Sequence, residues 1–193
     1  MRDPTGTASH LRSGEDALFT QLYHRHYRPI RDFCRRRVDG DLVDDAVAET
    51  FLTAWRRLED VPAGDGALVW LYAVAYRVIG HQWRSTARRR RLEDRLRSVV
   101  PRPASAADDL VTDGDESRLV LDAAARLGDT DAEVLRLAAW EQLAIADIAA
   151  VLEIAPNAVK QRLHRARRNL AREYRRLDAQ PTSTPDAAKG GAR

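Results

Sequence analysis

The chain has 193 residues, 44% of them hydrophobic, with 32 Lys+Arg against 29 Asp+Glu and a formal charge of +3. At a rough ~150 residues per domain this length suggests one or two small domains, and the apolar fraction excludes a wholly disordered chain. No run reaches the ~18 apolar residues of a membrane helix, the start MRDPTGTASHLRSGEDALF lacks an apolar signal core, and the lone Cys34 excludes an internal disulfide or a Cys-rich zinc module.

Residues 1–14, with Pro, Gly, Ser and Thr, read as a flexible leader. From Asp16 the apolar residues Leu18, Phe19, Leu22, Tyr23 and Tyr27 step by threes and fours, which predicts a helix with one buried face. Pro29 is expected to open a second helix carrying Ile30, Phe33, Cys34 and Val38. Asp39-Gly40-Asp41 is a break. Leu42–Leu58 is strongly amphipathic, with a stripe of Val43, Val47, Phe51, Ala54 and Leu58. Val61–Gly66 is a loop, and Leu68–Arg84 is a helix rich in aromatics.

A composition shift follows. Residues 98–116 are rich in Pro, Ala and Asp and read as a linker. Helical patterning resumes near Ser117. Thr130-Asp131-Ala132-Glu133 has the form of a capping box. Leu143–Leu152 is a short helix, Pro156 suits a first helical position, and Ala158–Leu177 is the last helix. Residues 178–193 read as a disordered tail. No alternating strand pattern occurs. The expected fold is all-α: two small helical domains, 15–97 and 117–177, joined by a flexible linker.

The charges are unevenly spread. Only Lys160 and Lys189 are lysines, so nearly every basic residue is Arg. Arg84–Arg97 carries seven Arg against Glu93 and Asp94, and Pro156–Arg176 carries eight basic residues against Glu173. Asp39–Asp65 carries eight acidic residues against Arg56 and Arg57. Two basic blocks on an otherwise acidic chain suit a polyanion touched at two places, or two solvated helix faces.

Ile145–Arg172 has the proportions of a helix-turn-helix. Ile148, Val151 and Leu152 face inward on a short helix, Glu153-Ile154-Ala155 makes the turn, and Val159, Leu163, Ala166 and Leu170 form the buried stripe of a longer one. The opposite face presents Asn157, Lys160, Gln161, His164, Arg165 and Arg168. In a major groove Arg can take guanine in a bidentate way, Gln can take adenine, and Lys and Arg can hold phosphates.

The segment AIADIAAVLEIAPNAVKQRLHRARRNL resembles the C-terminal DNA-binding domain of extracytoplasmic-function (group 4) sigma factors of the sigma-70 family. The resemblance implies that the last helix reads the −35 promoter element, with Lys160, Gln161, His164 and Arg165 toward bases and Arg162, Arg167 and Arg168 nearer phosphates. Glu153 and Ala155 stand where that family often has Gly and a capping Ser. In the first domain DDAVAETFLTAW, residues 44–55, resembles the family's "DLVQETFLRAW" helix. This implies docking on the coiled coil of the polymerase beta-prime subunit through Asp44, Asp45, Ala48, Glu49, Leu52 and Arg56. WLYAVAYRVIGHQWRSTARRRR, residues 70–91, resembles the family's −10 segment. Aromatic rings stack on unpaired bases and Arg follows a backbone, so Tyr76, Arg77, Gln82, Arg84 and Arg88 are the expected −10 contacts. Trp70, Leu71, Val74, Val78 and Trp83 are expected in the core.

No phosphate loop, nucleophile elbow or isolated carboxylate pair stands out, and His24 and His26 lie two apart, about 200° around a helix. No enzyme activity, metal or cofactor is expected. The expected function is that of a sigma factor directing core RNA polymerase to promoter DNA, cytoplasmic, with an anti-sigma partner implied by the family. The alternative is a stand-alone helix-turn-helix regulator with an N-terminal sensing or interaction domain.

Overall fold

The computed structural model describes residues 4–94 and 115–179, with side chains described over 14–84 and 116–179. The expected linker up to residue 114 and the tail from residue 180 lie outside the described residues. Seven α-helices are described, and no strand among these residues: α1 (Pro4–Arg35), α2 (Asp41–Arg56), α3 (Gly66–Asp94), α4 (Asp115–Ala125), α5 (Asp129–Ala139), α6 (Ile145–Leu152) and α7 (Pro156–Asp178). A 3-10 turn, Leu58–Asp60, leads into the loop before α3.

Three expectations about α1 are corrected. Residues 4–14 belong to the helix, which starts at Pro4 and not at Asp16. Extending an existing helix adds one hydrogen bond per residue fixed, so no new nucleation is required. Pro29 lies inside the same helix and opens no new one. An interior proline costs about 3 kcal/mol. Fully buried Ile30, Phe33 and Cys34 follow it, and each large side chain contributes roughly 1.5–3 kcal/mol on burial. Leu18, expected on the buried face, is 61% exposed, and that face begins at Phe19.

In α2 the buried stripe is Val43, Ala46, Val47, Thr50, Phe51 and Ala54. Thr50 is accommodated because its hydroxyl donates to the Ala46 carbonyl at 2.6 Å. α3 supplies Leu71, Tyr72, Val74, Ala75 and Ile79 to the same core. Helices α1, α2 and α3 pack mutually. In the C-terminal unit α7 lies against α4, α5 and α6 and buries Val159, Leu163 and Ala166.

The capping box expected at Thr130–Glu133 does not form. Gly128 occupies the N-cap position of α5 with no side-chain cap, and Thr130 lies within the helix. Glu133, past the N3 position of this helix, bonds elsewhere. Its Oε1 accepts from Nε and Nη2 of Arg37 at 2.9 and 2.8 Å, and its Oε2 accepts from Arg136 at 3.1 Å.

Arg37 lies in the turn that follows α1, and Glu133 lies in α5 of the C-terminal unit. The two units are therefore in contact. Glu141 Oε1 accepts from Arg36 at 2.9 Å and from Arg37 at 3.0 Å. α3 packs on α6, and one apolar cluster runs from Phe33 and Ile79 to Val134, Leu137 and Ile148.

Candidate nucleic-acid and polymerase surfaces

The helix-turn-helix is built from α6 and α7. Glu153 ends α6 in the left-handed region, φ 54° and ψ 43°. Its N–H and that of Ile154 both reach the Ala149 carbonyl, a Schellman-type stop. Ala155 precedes α7 with no side-chain cap, and Pro156 takes the first turn. Pro fits there because its missing N–H is one the helix start leaves unbonded in any case.

Successive α7 residues turn by about 100°. With Val159, Leu163 and Ala166 buried, the opposite face presents Asn157, Lys160, Gln161, His164 and Arg168, all exposed. Arg162 is half-buried. Arg165 lies one turn beyond Gln161, at the rim of that face. Its Nε and Nη2 donate to Asp131 Oδ2 and Oδ1 at 2.7 and 2.6 Å. This contact holds the Asp131 carboxyl below the usual carboxylate range, against the opposite push of burial.

On α2, Asp44, Asp45, Ala48, Glu49 and Arg56 are exposed and Leu52 is 40% exposed. They surround a small apolar patch with charge, which suits a helical partner better than a core. An open groove runs between this strip and α3, lined by Glu49, Leu52, Arg77, His81 and Gln82 among others.

On α3, Leu71 and Val74 are buried and Trp70 and Val78 are half-buried, but Trp83 is 49% exposed. Trp83 is thus a missed candidate for base stacking. Its place near the end of the apolar pattern, just before the Arg block, was the signal. Tyr76 is half-buried, and burial raises its phenol pKa. Arg77 is exposed and donates to Glu153 at 2.8 Å, so a candidate of the −10 group touches the turn of the helix-turn-helix. Gln82 is half-buried and Arg84 exposed; Arg88 lies in α3, its side chain outside the described residues.

Residues 22–90 match the family Sigma-70 region 2, and residues 117–170 match Sigma-70, region 4. Over 168 residues the chain is 32% identical to the ECF RNA polymerase sigma factor SigL of Mycobacterium tuberculosis, covering 82% of this chain and 89% of that protein. This chain belongs to the extracytoplasmic-function sigma factors of the sigma-70 family. The sigma factor directs core RNA polymerase to promoter DNA and catalyses nothing itself. Its fold resembles two solved sigma-factor structures. One is RpoE with the anti-sigma factor NepR from Bartonella quintana (TM-score 0.58, 22% identity, 81% of this chain and 96% of that one). The other is CnrH with the cytosolic domain of CnrY (TM-score 0.57, 25% identity, 90% and 96%). Among the described residues no helix is long and apolar enough to cross a membrane.

Proposed function

We propose that the sigma factor divides its work by surface. The α7 face of Asn157, Lys160, Gln161, Arg162, His164, Arg165 and Arg168 takes the −35 element in the major groove. The α3 group of Tyr76, Arg77, Gln82, Arg84 and Arg88 holds the opened −10 strand, with Trp83 added to it. The α2 strip from Asp44 to Arg56 docks on the beta-prime coiled coil. The units doing this span 15–97 and 117–177, with 98–116 as their tether, and the protein acts in the cytoplasm, where the polymerase is. By likeness to RpoE and CnrH, each solved with a protein partner, we also infer an anti-sigma factor for this chain.

The observation that carries this reading is α7: a row of polar and basic side chains, exposed from Asn157 to Arg168, directly opposite a buried apolar stripe. Such a helix offers bidentate donors for base edges and charges for phosphates together.

The test pairs purified protein with core polymerase on promoter DNA, with the −10 and −35 elements altered separately. Transcripts that require core enzyme and both elements are expected. Tight operator binding by the free chain, with no promoter-specific transcript, would instead establish the stand-alone regulator.

A further inference from the structure

We propose that Asp131 is a positioning residue for base readout: it grips one edge of the Arg165 guanidinium so that the other edge is presented to a guanine in the −35 element. The inference rests on the reading of α7 given above.

Arg carries five N–H donors in a planar fork. In this structure Nε and one hydrogen of Nη2 are engaged by the two oxygens of Asp131, at 2.7 and 2.6 Å. No other residue among those described hydrogen-bonds this guanidinium. Its end edge, formed by Nη1 and the second hydrogen of Nη2, is left available. That edge has the geometry for O6 and N7 of guanine. The Arg165 side chain is 52% exposed and the Asp131 side chain only 12%, so the carboxylate is the fixed partner and the guanidinium the outward one. Asp131 stands in the first turn of α5, and α5 packs along α7. The anchor therefore comes from a different helix than the reader. A long side chain held at one edge has fewer rotamers to lose on binding, and a docked wrong base leaves its free donors unpaired. The competing account is a plain tie between α5 and α7, which would affect stability and not base choice.

The experiment measures binding of the polymerase holoenzyme to duplex promoters carrying each base at every −35 position. Arg165→Ala, Asp131→Ala, Asp131→Asn and Asp131→Glu are compared with the parent, and thermal melting of each variant is recorded. The parent should favour guanine at one position by roughly 5- to 150-fold. Arg165→Ala should flatten that preference. Asp131→Asn, nearly isosteric, should flatten it at the same position while affinity for DNA lacking the guanine stays level or rises, because a negative charge beside α7 is gone. Asp131→Glu should restore part of the preference. The double variant Asp131→Asn/Arg165→Ala should lose no more than Arg165→Ala alone.

Full guanine preference in both Asp131→Ala and Asp131→Asn would overturn the inference while leaving the α7 reading intact. So would an equal loss of affinity for every sequence together with a lower melting point. If Arg165→Ala changed no −35 preference at all, Arg165 would not be a reader, and the assignment of the α7 face would fail with it.

Discussion

Arg37 and Leu52 represent opposite fates of a side chain here. The guanidinium of Arg37 is fully buried over the ring of Phe33, 3.5 Å from its centroid. Burial opposes its charge, and Glu133 and Glu141 outweigh that opposition, so the charged form is favoured. Leu52 is apolar and yet 40% exposed among acidic neighbours. Leu52→Asp should leave the melting temperature nearly unchanged, since it removes little buried area, and should weaken binding to core polymerase. Unaltered affinity for core enzyme would argue against α2 as the docking face. Cys34 is the inert case: burial pushes its thiol to about 12, so it is a packing residue of α1. Two groups contribute to the response to acid. His26 is held below its ordinary pKa by burial and then by Arg25, so the folded state favours the neutral ring. Protonation below about pH 6.5, its usual value, therefore opposes folding. Asp131, also lowered, contributes stability that is present above its ordinary value near ~3.9 and is lost as pH falls through the folded value. The melting temperature should decline in two steps toward acid, and His26→Gln should abolish the upper one. An unchanged profile in that variant would rule out His26 as its source.

At the scale of elements, the helix ends are less well made than the helix faces. α7 begins at Ala155 with no side-chain cap, and α6 stops at Glu153, a residue with a Cβ in the left-handed region. An alanine at the N-cap leaves the N–H groups of the first turn without an oxygen partner. Ala155→Ser should therefore stabilise the C-terminal unit by about 0.5–2 kcal/mol, read as a higher urea midpoint with an unchanged slope. A midpoint equal to the parent's would mean that Pro156 and solvent already satisfy the helix start. α5 is uncapped for another reason. Its N-cap is Gly128, which has no side-chain oxygen, and Glu133, four residues past the helix start, lies beyond the N3 position of a capping box and reaches Arg37 instead. A charge-assisted pair to a buried guanidinium is stronger than a neutral backbone contact.

For the whole molecule, the proposed assignment makes the packed arrangement and the promoter-bound one exclude each other. Elements named for positions about 25 base pairs apart lie roughly 85 Å apart along B-DNA at ~3.4 Å per base pair. Here Arg77 of the −10 group touches Glu153, beside the start of α7, at 2.8 Å. On the proposed assignment the two units must separate to engage both elements, and separation exposes Arg37, Glu133 and Glu141. Removing one member of a buried charge cluster costs about 3–5 kcal/mol, because its partners are left uncompensated. Arg37→Ala should therefore loosen the contact between units, seen as a larger radius of gyration in solution scattering with helix content retained. A radius equal to the parent's would show that the apolar contact of α3 on α6 holds the units together alone.

The amino-acid order by itself determined that the chain is helical and set most of the inner faces, though not the start of α1 or its run through Pro29. Val43, Val47 and Phe51, or Val159, Leu163 and Ala166, recur at the period of a helix, and that period is a local property of the chain. It also determined the exposed face of α7 and the likeness to sigma factors, since both reside in short contiguous segments. Only the tertiary structure decided which charges meet. Arg37 and Glu133 are 96 positions apart, and Arg165 and Asp131 are 34 apart. No periodicity links such pairs, so Glu133 read as a cap and Trp83 as core. Each was assigned from its nearest neighbours, whereas its environment is set by helices that arrive from elsewhere in the chain.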